Sequence, residues 1–285
     1  MPEVVRRIAE VRAAVAAARG VGRPIALTPT MGALHAGHLA HLDAARAAVG
    51  AQAFTVVSIF VNPLQFGEGE DLDRYPRTLE ADLAALDGVG ADLVFAPEVG
   101  EMYPGGAVEV SIAAGPVAST FEGAARPGHF DGALTVVAKL LHIVGPDVAT
   151  FGRKDAQQLF LVERMVRDLD IPATILEVDI VREADGLAMS SRNRYLSPEQ
   201  RRAALALSAG MWAAEAASGQ GRDAALLAAA GVTDAEPAVD VDYLDLVDPA
   251  TFRPVGPEHR GPVIAIVAAR VGTTRLIDNA RFALG

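Results

Sequence analysis

The sequence predicts an α/β protein: an open parallel sheet with helices on both faces, followed by a smaller α+β unit. Three observations lead there. Short β-type runs alternate with helical patterns through the first two thirds of the chain, the composition turns alanine-rich after about Val181, and strand-like apolar runs close the sequence. Strand–helix alternation favours a parallel sheet, because each crossover between parallel strands needs a long connection that a helix supplies. A chain of 285 residues, 51% of them apolar, exceeds the usual size of one domain. The expected units are residues 1–180 and 181–285.

Taken in order, MPEVVRRIAEVRAAVAAARG sets Val4, Ile8, Val11 and Val15 at helical spacing with Arg6, Arg7, Glu10 and Arg12 between them. That pattern predicts an amphipathic helix, not a secretion signal. Strands are expected in PIALTPT (24–30), AFTVVSIFV (53–61), ADLVFAP (91–97), DVATFG (147–152) and PATILEVDI (172–180). Between them, HLAHLDAARAAVG and TLEADLAALDGVG repeat leucines and alanines at helical spacing, and each ends at glycine. Residues 115–129 are expected to form the most mobile loop. Ser197, Pro198 and Gln200 then make a capping box that opens one long alanine-rich helix. The runs VDVDYLDLVDP and GPVIAIVAARVGTTRLIDNA read as the strands of the smaller unit.

A formal net charge of −11 disfavours general attraction to nucleic-acid phosphates or an anionic membrane. Any bound phosphate needs a local positive site. The absence of cysteine excludes disulfides and thiolate metal ligands. No apolar run reaches the roughly eighteen residues of a membrane span, so a soluble, cytoplasmic protein is expected.

Four clusters could carry chemistry. In PTMGALHAGHLAHLDAAR, Gly32, Ala33, Ala36 and Gly37 let backbone approach a ligand, and the following helix N-terminus offers unpaired N–H groups to an anion. His35 and His38 could add donors to a phosphate. A satisfied core histidine beside solvated ones explains the same spacing, whereas zinc is discouraged by Gly37 and the lack of an H-E-x-x-H pattern. His41 reads as a surface residue of the helix. In FVNPLQF, Asn62 and Gln65 supply uncharged donors and acceptors suited to a polar small molecule, although Asn-Pro is also an ordinary turn signal. In FGRKDAQQL, Gly152 permits close approach, Lys154 brings a point charge, and Asp155 can hold a ribose hydroxyl, a metal or its own backbone, with Gln158 one helical turn on. GLAMSSRNRYL gathers Ser190, Ser191, Arg192 and Arg194 as a cationic clamp or as a solvated basic loop. Three of the four clusters fall at expected strand ends, where an open α/β sheet binds its ligands.

These blocks, together with YPRTLEADL, EGAARPGHFDGALTVVAKLL and VREADGLAMSSRNRYL, closely resemble the pantothenate synthetase (pantoate–β-alanine ligase) family. Weaker similarity runs through DYLDLVD and ARVGTTRLIDN, so the likeness covers nearly the whole chain in the family's order. The H-x-G-H pair alone suggests only the wider nucleotidyltransferase superfamily. The resemblance implies a Rossmann-like doubly wound sheet for nucleotide and pantoate, a C-terminal lid domain, and a homodimer. It also implies an ATP-dependent reaction with Mg²⁺ in two steps, pantoyl adenylate forming first and β-alanine then capturing the acyl group.

Residue by residue, the resemblance places ATP on Met31, Gly32, Ala33, Leu34, His35, Ala36, Gly37 and His38, with His35 and His38 at the phosphates and His38 the usual proton donor. Pyrophosphate needs little protonation to leave, so electrostatic stabilisation is the simpler role for His38. Gly152, Arg153, Lys154, Asp155 and Val181 are implied to line the adenosine, Lys154 reaching the phosphates. Met189, Ser190, Ser191 and Arg192 are implied to close over the triphosphate; His38, His35, Lys154 and Arg192 form the catalytic set. Asn62, Gln65 and Gln158 are implied to hold pantoate, Gln65 also lying near β-alanine. Asp82 resembles a position near magnesium, though most coordination is expected from ATP oxygens and water. Ala36 and Arg153 depart from the family's usual residues, and both side chains are expected to point away from ligand. A ligase of the same superfamily with a different acid acceptor, and a catalytically silent nucleotide-binding protein, stay open as alternatives.

Overall fold

The computed structural model describes residues 1–285 apart from Glu68, Asp71 and Ala107. Two compact units emerge, one of Met1–Arg153 with Leu161–Asp179, the other of Lys154–Phe160 with Ile180–Gly285. The segment 154–160, which the linear reading kept with the first unit, groups with the second.

In the first unit the chain runs β1 (Glu3–Val5), α1 (Ile8–Gly20), β2 (Ile25–Thr30), α2 (Ala36–Val49), β3 (Phe54–Ile59), α3 (Leu79–Val89) and β4 (Leu93–Phe95). It continues through the short helices α4 (Val99–Met102) and α5 (Phe121–Ala125), the long α6 (His129–Val144) and β5 (Val148–Gly152). Helix α7 (Ala156–Asp168), which the division between units cuts, leads to β6 (Thr174–Val178). The six strands form one sheet in the order β1-β4-β3-β2-β5-β6, and every pairing is parallel. From β2 the chain steps outward to β3 and β4, then returns through α6 to place β5 on the other side of β2. That reversal opens a crevice at the carboxyl ends of β2 and β5, the usual ligand position in such sheets. Pro29 favours the opening: β5 registers with β2 at Ala26 and Leu27, and Pro29, lacking an N–H, lies beyond that ladder.

Three expectations change. The N-terminal pattern is not helical throughout, because Glu3–Val5 pair with Leu93–Phe95 as an edge strand and the helix begins at Ile8. Residues 116–119 form a 3₁₀ turn and Phe121–Ala125 a short helix, so the segment expected to be a mobile loop is largely helical. Gly123 meets Ala118 there so closely that a Cβ would sit 1.8 Å from the Ala118 carbonyl oxygen. His41 is half-buried instead of lying on the surface.

The second unit contains α8 (Pro198–Ala216), α9 (Arg222–Thr233) and an antiparallel sheet of β7 (Val239–Val247), β8 (Gly261–Val271) and β9 (Thr274–Leu284). Ser197 caps α8 through the predicted box, its Oγ accepting from Gln200 N while Gln200 Oε1 accepts from Ser197 N. The expected alanine-rich helix forms as α8, and α9, which the sequence reading did not name, follows the turn Ser218–Gln220 and packs back on α8 where Gly210 lies beside Ala229 and Thr233. Leu207, Met211, Val263 and Val267 form its core. No helix among the described residues is long and apolar enough to cross a membrane.

One ion pair in this unit is buried. Asp278 is 2% exposed and receives both terminal nitrogens of Arg182, at 2.7 and 2.9 Å. Removing the cation leaves a buried carboxylate without a countercharge, its Oδ1 accepting only from the Asn279 amide at 2.8 Å among the described residues. Arg182→Met is therefore expected to lower stability by about 3–5 kcal/mol in urea unfolding, and the double variant R182M/D278L to recover most of that loss.

Candidate functional site

The junction of β2 and α2 is built around a buried carboxylate. Asp82, on α3, accepts the amide of Ala33 at 3.0 Å and that of Leu34 at 2.8 Å. Thr78 Oγ1 adds a donor at 3.3 Å. Gly32 and Ala33 both take left-handed backbone, φ 85° and 51°, and this turns the two following amides toward one point. Thr30 locks the start of the loop, its hydroxyl donating to Ser58 O at 2.7 Å and accepting from Gly32 N at 3.2 Å.

Helix α2 starts immediately beyond. His35 is its N-cap residue in extended backbone, and among the described residues the amides of Ala36 and Gly37 have no acceptor. Two free N–H groups at the positive end of a fourteen-residue helix make an anion site. The rings of His35 and His38 lie 4.0 Å apart. His38 Nδ1 accepts from the His35 amide at 3.3 Å, which places the neutral ring's proton on Nε2, a donor for a phosphate oxygen. Asp82, Met31 and Gly32 also border a pocket of about 270 Å³ at the carboxyl ends of β2, β3 and β4.

At the end of β3, Asn62 and Gln65 frame a 3₁₀ turn, Pro63–Gln65. Asn62 is 1% exposed and its carboxamide is fully engaged. Oδ1 accepts from Tyr103 Oη at 2.7 Å and Leu64 N at 3.3 Å; Nδ2 donates to Gln65 Oε1 and to Gly132 O, both at 3.1 Å. Burial pushes the Tyr103 phenol up to about 12, so it remains a donor. Gln65 therefore has its oxygen filled and its Nε2 turned outward, 3.3 Å from Met31 Sδ, with one hydrogen lacking an acceptor among the described residues. Asn62, expected to touch a ligand itself, orients Gln65 in this structure.

The turn is clamped from behind by the start of α6. A Cβ on Gly132 would lie 2.0 Å from Leu64 O, so only glycine lets helix and turn meet. His129 Nδ1 lies 2.8 Å from Gln65 O, and its Nε2 lies 3.0 Å from Arg126 Nη1. Sequence reasoning assigned no role to Arg126, His129 or Tyr103. The glycine before His129 and the one three residues after it were the available signal for a close helix start.

In the second unit, Lys154 follows β5 by two residues and is half-buried, with no ion pair among the described residues. It is one of only two lysines in the chain. Asn279 Nδ2 fixes its carbonyl at 2.9 Å. Asp155 is exposed, and Gln158 half-buried in the first turns of α7. Val181 O accepts from Met189 N at 2.9 Å, closing a strap whose acidic residues Glu183 and Asp185 both bind Arg201. Ser190 Oγ then caps the turn Ser191–Tyr195 by accepting from Arg192 N at 3.2 Å, and Asn193 anchors it to Glu183 Oε1 and Ala188 O. Met31–His38, Asn62, Gln65 and Asp82 thus come together in the first unit, and Lys154 is held near Asn279 in the second, where Val181 and Met189–Arg192 form one braced segment.

One expectation is revised. Asp82 has its oxygens occupied by amides and a hydroxyl, and among the described residues no group of three His, Cys, Asp or Glu side chains could hold a metal ion. Its visible role is to shape the loop. The Arg153 side chain, expected to point away from ligand, pairs with Glu177 at 2.7 Å and with Asp179, fastening the end of β5 to the strand beside it.

Comparison with known proteins agrees with this architecture. The family model described as pantoate-beta-alanine ligase matches residues 3–281. A pantothenate synthetase of Leifsonia xyli subsp. xyli is 59% identical over 260 residues, covering 91% of this chain and 89% of that protein. One from Nocardioides sp. is 54% identical over 280 residues, covering 97% and 84%. The crystal structure of pantothenate synthetase from Thermus thermophilus superposes with a TM-score of 0.88 at 47% identity, covering 98% of each chain. A pantoate-beta-alanine ligase from Francisella tularensis, complexed with beta-gamma ATP and beta-alanine, gives a TM-score of 0.78 at 28% identity, covering 98% and 97%.

The loop geometry makes a direct prediction. A Cβ on Gly32 would sit 3.0 Å from Asp82 Oδ2 and 3.1 Å from Ile59 Cγ2, in backbone that side chains disfavour. Gly32→Ala is expected to cost about 1–3 kcal/mol in urea unfolding; unchanged stability contradicts the tight loop.

Proposed function

The chain belongs to the pantoate–β-alanine ligase family, and from that premise we propose that it joins pantoate to β-alanine using ATP, with pantoyl adenylate as intermediate. The observation that carries this reading is the contact of Gln65 Nε2 with Met31 Sδ at 3.3 Å. It sets an amide suited to a small hydroxy acid against the first residue of the anion-binding loop, at the ends of neighbouring parallel strands. An acid bound there meets the α-phosphate of a nucleotide held by the α2 N-terminus.

In the first step a carboxylate oxygen of pantoate attacks the α-phosphorus, the bond to the β-phosphate oxygen breaks, and pyrophosphate leaves with that electron pair. The amides of Ala36 and Gly37 and the Nε2 proton of His38 stabilise the phosphoryl oxygens without net proton transfer. In the second step the β-alanine amine attacks the acyl carbon, the bond to the AMP oxygen breaks, and the amine sheds a proton. A free carboxylate would have to expel oxide, whereas AMP is a stable leaving group; the mixed anhydride has to be kept from water meanwhile. In this reading Gln65 and Gln158 hold pantoate, with Asn62 acting through Gln65. Gly152, Asp155 and Val181 attend the adenosine. Lys154, Met189, Ser190, Ser191 and Arg192 attend the triphosphate.

Magnesium enters as part of the nucleotide. The residues present do not fit a protein-held ion, since Asp82 is engaged and lacks companion ligands among the described residues. Kinship alone supports a homodimer and a cytoplasmic setting.

The test is exchange of labelled pyrophosphate into ATP by the purified protein with Mg²⁺ and pantoate, followed by release of AMP and pantothenate when β-alanine is added. Exchange driven only by a different acid overturns the substrate. His38→Ala and Lys154→Ala are each expected to lower adenylation at least roughly a hundredfold; wild-type rates in either would remove its assigned role.

A further inference from the structure

We propose that Arg126 and His129, braced by Glu70, are positioning residues that set the direction of the Gln65 amide and so tune the affinity for the acid substrate. The inference rests on the reading that Gln65 contacts pantoate. It starts from a hydrogen-bond chain that the chemistry above does not use. Glu70 receives Arg126 in a two-point contact, Nε at 2.9 Å and Nη2 at 2.6 Å. Arg126 Nη1 reaches His129 Nε2 at 3.0 Å, its Nη2 reaches Gln65 O at 3.4 Å, and His129 Nδ1 lies 2.8 Å from that carbonyl.

The roles in this chain are fixed by elimination. A guanidinium only donates, so His129 Nε2 must accept; the ring's proton then lies on Nδ1 and is donated to Gln65 O. Burial first, and the charge of Arg126 second, hold His129 below its ordinary pKa of 6.5, in keeping with a neutral ring. Gln65 is consequently gripped at two points. Its main-chain oxygen is held by His129 and Arg126, and its side-chain oxygen by Asn62. With both oxygens engaged, the remaining freedom of the residue is the direction of Nε2, the group left for a ligand.

Such a brace acts on substrate through Gln65 and touches none of the reacting atoms. It predicts a selective kinetic signature. His129→Leu, which removes the donor, is expected to raise the KM for pantoate about tenfold while changing kcat and the KM for ATP less than twofold. His129→Asn, whose Nδ2 can replace Nδ1 as donor to the same carbonyl, is expected to restore most of the affinity. Gln65→Ala run in parallel should raise the pantoate KM by at least as much, with no further rise in Q65A/H129L. Should His129→Leu fail to fold, as judged by circular dichroism, Arg126→Met carries the same measurement with the same expected selectivity.

The outcomes separate the two layers. If Gln65→Ala weakens pantoate but the His129 and Arg126 variants keep the wild-type KM, the positioning role is overturned and the substrate reading stands. Equal losses in the ATP and pantoate parameters, or a rise confined to the KM for β-alanine, overturn it as well. If Gln65→Ala leaves the pantoate KM unchanged, the substrate reading falls and the inference falls with it.

Discussion

The functional surface of the first unit depends on one buried carboxylate. Asp82 takes the amides of Ala33 and Leu34 into its two oxygens, and that pair of bonds holds the β2–α2 loop in backbone it would not adopt by propensity. A buried carboxyl group facing two convergent amides forms strong, short-range bonds. The loop's own anion-seeking amides are thereby satisfied from within. Beyond His35, the amides of Ala36 and Gly37 have no acceptor among the described residues and remain for a ligand. A carboxylate therefore shapes an anion site without occupying it.

The same economy governs the turn that carries Asn62 and Gln65. Asn62 spends its donors and acceptors on Tyr103, Leu64, Gly132 and Gln65, and Gln65 Nε2, which donates to Met31 Sδ, keeps one hydrogen without an acceptor among the described residues. Such an arrangement requires α6 to lie directly on the turn, which Gly132 permits and any larger residue would prevent. Buried polar groups that are fully paired give a rigid frame; a single missing partner would leave a costly orphan.

The sheet was legible because its evidence is local. The apolar runs at 24–30, 53–61 and 147–152 became β2, β3 and β5 within about two residues at each end, and Ser197 to Gln200 capped α8 as its spacing dictated. What escaped detection rests on contacts between distant residues. Glu3–Val5 are strand only because Leu93–Phe95 lie beside them. Asp82 reads as a metal candidate until its partners 48 and 49 residues away are known. Arg153 is expected to face away from ligand, but its partners Glu177 and Asp179 lie on the neighbouring strand and beyond it and could not be named from the sequence. Arg126 and His129 gave no sign in composition, since their partner is a main-chain oxygen more than sixty residues earlier.

The account makes the loop's shape, set by Asp82, the precondition for nucleotide binding. Calorimetric titration of the Asp82→Asn variant with ATP and Mg²⁺ tests this most directly, because asparagine keeps the size but offers one oxygen to two amides. An unpaired amide costs about 1–3 kcal/mol, and the expected result is a Kd about tenfold above wild type, near 1.4 kcal/mol, with the circular dichroism spectrum unchanged. Wild-type affinity in a folded Asp82→Asn protein would contradict the central claim.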